Sequence, residues 1–140
     1  MKKLIGIALA LFCLLGCAAC GMQKAVTLPE AQQLSSIEIM KSTGQSGKTL
    51  TTQKEMSTFI CSLRENASKT CLESVNDQPV NTEDYIIVRL IHSGPENSAS
   101  IAYLYTKNGT AYLEQPYAGI WTFNNETFDQ ISRQVNSLGK

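Results

Sequence analysis

The chain predicts a single small α+β domain: an antiparallel sheet of about four to six strands with two main helices packed on one face. Three observations lead there. Short runs with period-2 alternation recur through the chain. Two windows instead carry apolar residues at helical spacing. An Asn-Gly pair joins two strand-like runs and marks a tight antiparallel hairpin. The order is strands, helix, an antiparallel meander of three or four strands, helix. A length of 140 residues suits one domain with one core.

The elements follow in order. "LPEAQQL" suits one helical turn with Pro29 near its start. "SIEIMKS", residues 36–42, sets Ile37 and Ile39 against Glu38 and Met40, a strand pattern. "TGQSG" is a turn cluster, and "KTLTT" returns as a short second strand. "TTQKEMSTFICSLREN" reads as a helix. Thr52 and Glu55 form a capping-box pattern, and Met56, Phe59, Ile60 and Leu63 make one buried stripe.

Residues 66–83 are the least periodic part, rich in turn formers around Pro79, with "CLESV" as a short edge strand. "DYIIVRLIHS" is apolar on both faces apart from Arg89, so it suits a central strand. "SASIAYLYT" and "TAYLEQPY" flank the "KNG" hairpin signal, and "AGIWTF" adds a last strand. "NNETFDQISRQVNSL" is a helix with Phe128, Ile131, Val135 and Leu138 on one side. Asn124 stands at its N-cap, with Phe123 and Phe128 in staple positions.

Ahead of the domain lies a leader. "MKK" is a positive n-region, and "LIGIALALFCLL" is an apolar run of about 12 residues, short of the roughly 20 that span a bilayer. "LLGC" follows. A signal peptide ending in Leu-x-Gly-Cys resembles the lipobox of bacterial lipoproteins, in which the cysteine is acylated and the bond before it is cut. Gly16 lets a peptidase approach that bond, and the Cys17 thiol accepts the lipid. Cys20 is the fallback, and Cys13 is discarded with the leader. Residues 1–16 are therefore expected as a lipoprotein signal peptide, 17–28 as a lipidated flexible tether, and 29–140 as the domain. Two acyl chains hold such a protein stably on a membrane.

Composition narrows the function. With Lys2 and Lys3 removed, ten basic against twelve acidic residues leave a net charge of about −2, which gives no electrostatic reason to expect nucleic acid. No nucleophile elbow, phosphate loop, dinucleotide fingerprint or His-Glu-x-x-His motif is present. The single histidine, His92, ends a strand and reads as a surface residue beside a turn. Cys17 and Cys20 lack the further ligands of a zinc site, so neither metal nor cofactor is expected. Cys61 and Cys71 are disulfide candidates closing a loop of about ten residues, which an exported compartment permits.

The remaining candidates are polar and aromatic. Asn76 and Asp77 in "SVNDQP" read as turn formers, or else as a polar binding loop. Glu114, Gln115 and Tyr117 flank Pro116 at a strand end, which is either a kink packed on the core or a ligand-facing patch. Tyr103 and Tyr105 share one sheet face, with Tyr112 nearby. If that face is open it suits a partner; if helices cover it, it is core.

"LPEAQQLSSIEI", "SVNDQPVNTEDYIIV", "YLYTKNGTAYLEQPYAGIW" and the final helix together resemble an uncharacterised Firmicutes lipoprotein domain family, domain of unknown function 5301. The resemblance spans most of residues 28–138, and its most specific pieces are "SVNDQP" and "EQPYAGI". Similar segments end some membrane-bound sensor peptidases. The resemblance implies an extracytoplasmic domain and carries over no catalytic residue; Cys61 and Cys71 stand outside its pattern. The expectation is a non-enzymatic binding module, lipid-anchored on the outer face of the cytoplasmic membrane of a Gram-positive-like bacterium. Its partner would be another envelope protein, a peptide or a wall glycan. The alternative is an enzyme, or an inhibitor or accessory of an envelope enzyme.

Overall fold

Alternation along "SIEIMK" and "YIIVRLIH" places Ile37, Ile39, Val88 and Leu90 on one side of two neighbouring strands, and all four are buried. The computed structural model describes residues 23–45 and 47–137, and the leader with Cys17 and Cys20 lies outside them. Its strands are β1 (Leu34–Lys41), β2 (Lys48–Leu50), β3 (Ala67–Leu72), β4 (Tyr85–His92), β5 (Ala99–Lys107), β6 (Thr110–Gln115) and β7 (Gly119–Phe123). The helices are α1 (Gln53–Asn66) and α2 (Asn125–Ser137), with a 3₁₀ turn at Ala31–Gln33.

All seven strands join one antiparallel sheet in the order β2-β1-β4-β5-β6-β7-β3. The α+β class holds, but the sheet has seven strands rather than four to six. The cause is non-local pairing: β1 joins β4, and β3 returns to the far edge beside β7, which fuses two groups of strands.

That order explains the first helix. β2 and β3 are opposite edges of the sheet, so α1 crosses one face to connect them. Thr52 caps it, accepting from the Glu55 amide at 3.3 Å and donating to the Glu55 carboxylate at 2.8 Å. Met56, Ile60 and Leu63 are its buried stripe. The second helix starts at Asn124, whose Oδ1 accepts from the Thr127 amide at 2.9 Å. Ile131 and Val135 are buried from it, and Phe128 packs against the same cluster as Phe123. The core thus lies between the two helices and the sheet face carrying Ile37, Ile39, Leu104, Leu113 and Trp121.

Residues 23–28, expected in a flexible tether, are packed on the domain instead. Gln23 bridges Thr70, Val26 and Leu28 are buried, and the Trp121 indole donates to the Lys24 carbonyl at 2.6 Å. The sequence signal was weak because single apolar residues at 26 and 28 have no period to read. Cys61 and Cys71 are not bridged to each other. Cys61 is exposed on α1, one step off the buried stripe, whereas Cys71 is buried on β3 opposite Trp121. Among the described residues no helix is long and apolar enough to cross a membrane.

Candidate functional site

The sheet face away from the helices carries the tyrosines. Tyr85, Tyr105 and Tyr112 are register partners across β4, β5 and β6. Tyr105 stacks on Tyr112 with centroids 5.6 Å apart, and Tyr103 meets Tyr85 edge-on at 5.4 Å. This face is neither open nor covered by helices. The chain from β3, at one edge, must reach β4, in the interior, and residues 73–84 cross the face to do so. Tyr103 and Tyr105 are therefore buried, at 7% and 6% exposure.

Hydrogen bonds fasten that crossing. Ser74 donates to Glu114 Oε1 at 2.7 Å, and Tyr105 donates to Glu114 Oε2 at 3.0 Å. Glu114 is buried, so each of its oxygens is committed to a hydroxyl. Asp77 receives two more: Tyr103 donates to its carbonyl at 3.0 Å, and Tyr117 to its carboxylate at 2.8 Å. Burial, then the neighbouring Glu114, pushes the Tyr105 hydroxyl well above the usual tyrosine range. Burial also raises Tyr103, with charge on Tyr85, Asp77 and Glu114 adding to it. The Asp77 hydrogen bond raises Tyr117.

"SVNDQP" and "EQPYAG", separated by about 40 residues, are thus joined through Ser74–Glu114 and Asp77–Tyr117. Tyr117 adopts a positive φ of 58°, which turns its side chain out toward Asp77 after Pro116. Of the sequence-predicted residues, Asp77, Tyr103, Tyr105, Tyr112, Glu114 and Tyr117 come together here; Gln115, next after Glu114 on β6, lies on the opposite sheet face, where it reaches Thr27. Asn76 is exposed on the same crossing. Sequence reasoning missed Ser74, which no local pattern distinguishes from any other turn serine; only the crossing puts it over Glu114.

Beside this network the sheet has a step. β5 pairs with β4 from Ala99 onward but with β6 only from Tyr103 onward, so 99–102 have a strand on one side alone. A hollow of about 570 Å³ occupies the step, lined by Asp77, Gln78, Ser100, Ile101, Tyr103 and Gln115, among others. Gln115 donates to the Thr27 carbonyl at 2.8 Å, and its Oε1 is buried with no partner among the described residues. An unmade hydrogen bond of that kind costs about 1–3 kcal/mol. Ser100 Oγ lies 2.7 Å from Nε2 of the half-buried His92. A second hollow, of about 500 Å³, lies between the helices over Ile39, Leu50, Phe59 and Ile131; no sequence-predicted site residue lines it. No group of three metal-ligating side chains is placed to hold an ion among the described residues.

No curated protein and no solved structure matches this chain. The family model DUF5301, described as "Domain of unknown function (DUF5300)", matches residues 22–122.

Proposed function

We propose, from the premise that the chain belongs to the family described as Domain of unknown function (DUF5300), that it is a lipid-anchored extracytoplasmic binding module. Its ligand is an extended peptide segment of another envelope protein, received at the step in the sheet. The observation that carries this reading is the half-paired β5 strand at 99–102, flanked by the unsatisfied Gln115 Oε1. A free strand edge offers alternating amide and carbonyl groups to an added strand, and the side chains around it supply selectivity. The fastened Ser74–Glu114 and Asp77–Tyr117 contacts hold the walls of the hollow in place before a ligand arrives. Cys17 carries the lipid, after cleavage behind Gly16, and sets the module on the outer face of the cytoplasmic membrane.

The test is site-specific photo-crosslinking of the full chain in its native envelope. A small diazirine side chain at position 101 is expected to yield a discrete protein adduct, and one at position 49 on the opposite edge is not. No adduct at 101, or the same adducts from 49, overturns the reading. Cys17→Ser is expected to abolish fatty-acid labelling; retained labelling moves the anchor away from Cys17.

One observation favours a second reading. The Ser100–His92 contact at the wall of the hollow is the first half of a nucleophile–base pair. Among the described residues His92 has no carboxylate to orient its ring, so binding is preferred. Activated-ester hydrolysis lost in both Ser100→Ala and His92→Ala would reverse that preference.

A further inference from the structure

Large apolar side chains are exposed in one corner of the domain. Leu72 is 63% exposed, Val75 67% and Tyr117 67%. Leu72 lies opposite the partly buried Ile120 on β7, and Val75 and Tyr117 share a shallow hollow with Lys24. Val80 is the fourth large apolar side chain exposed among the described residues, five positions further along the crossing from Val75; a grouping of three in one corner marks a contact face.

The tether identifies what covers it. Gln23 is bound to Thr70 on the β3 edge, and Lys24 Nζ donates to the Ala118 carbonyl at 3.4 Å. The bridge is antiparallel, so from Lys24 back to Gln23 the chain heads toward the Leu72 end of β3. Only six residue steps separate Cys17 from Gln23, about 20 Å when fully extended. The seven strands span about 29 Å from β2 to β3 at ordinary spacing. A leash that short cannot let the domain stand upright on its β2 edge while Cys17 is inserted in the membrane. The β3 edge, with its apolar corner, is the one held next to the lipid.

We propose that the Leu72, Val75 and Tyr117 corner is a membrane-docking face that seats the anchored domain on the bilayer surface. Lys24 and Lys69 lie along the same edge, where cations suit anionic headgroups; Glu73, which lines the shallow hollow, and Asp77, which accepts from the Tyr117 hydroxyl, oppose them. Apolar side chains of this kind enter the headgroup boundary. The proposal rests on the lipid anchor at Cys17; it shares Tyr117 with the wall of the step, and its test is read at positions 72 and 75, which do not line that hollow.

The test uses the full lipidated chain in vesicles of phosphatidylglycerol and acyl-brominated phosphatidylcholine, with Leu72→Trp compared against Thr49→Trp. Trp121 is fully buried and common to both variants. Position 72 is expected to be quenched at least about twofold more strongly than position 49, with a blue-shifted emission. Val75→Trp is expected to behave as Leu72→Trp, which guards against a local effect of one substitution. Equal quenching at 72 and 49 in chains that carry fatty-acid label overturns the docking face alone. A full chain without fatty-acid label overturns the anchor and the docking face together.

Discussion

Glu114 shows what a single residue does in this domain. Its oxygens accept from Ser74 and Tyr105, which belong to the crossing segment and to β5. Hydrogen bonds to a charged group contribute about 1.5–3 kcal/mol, and stranding a buried partner costs at least as much as losing the bond. Ser74→Ala and Tyr105→Phe are each expected to lower unfolding stability by about 1–3 kcal/mol in urea titrations. Their double variant is expected to be less than additive, because both act through one carboxylate. The raised Tyr105 hydroxyl gives this network a pH signature. The folded state holds that proton more tightly than the unfolded chain, whose tyrosines ionise near 10. The associated stability is complete below pH 10 and is lost as pH rises above it. Unfolding midpoints measured across the alkaline range are expected to fall in the wild type and to fall less steeply in Tyr105→Phe. At this scale the tyrosines, Glu114 and Asp77 were legible as a polar, aromatic group. Their partners were not, because Ser74 and Asp77 reach them across about 40 residues.

Elements were read well where local physics decides them. Thr52 and Asn124 cap the helices from the expected positions, and the Asn108–Gly109 turn adopts positive φ at both residues, as a tight hairpin demands. One glycine was not singled out and matters more. A Cβ on Gly47 would lie 1.8 Å from the Ile39 carbonyl oxygen and 3.1 Å from Val135. This close approach lets β1, β2 and the end of α2 meet. Gly47→Ala is expected to cost about 1–3 kcal/mol through forced backbone shifts. Faster amide exchange in β2 than in β6 of the same variant would locate the damage. An unchanged urea midpoint would show that the turn relaxes freely. β3 was expected around residues 71–75 and lies at Ala67–Leu72, directly after α1. Its exposed polar residues give little alternation, and pairing with β7 defines it instead.

Across the whole molecule, the N-terminal segment belongs to the fold. Val26 and Leu28 are buried, and Lys24 and Thr27 supply carbonyls to Trp121 and Gln115. A chain beginning at residue 29 is expected to be less stable than one beginning at residue 23 by about 3 kcal/mol or more, since two buried aliphatic side chains contribute roughly 1.5–3 kcal/mol each. Equal urea midpoints for the two chains would place the boundary back at Pro29. The same packing shortens the span between Cys17 and the domain, on which the docking face depends.

Sequence by itself determined the α+β class, the helices and their caps, the central character of β4, the hairpin at Asn108–Gly109 and the family resemblance. All of these rest on periodicity, turn chemistry or short motifs within about fifteen residues. Tertiary structure alone decided that β1 pairs with β4, that β3 closes the far edge, and that residues 73–84 cover the tyrosines. It also left 99–102 of β5 half-paired and drew residues 23–28 onto the core. The reason is that strand order and the path of a crossing segment depend on contacts between distant residues. The same alternating pattern satisfies several such pairings, and only burial of the complete sheet selects one.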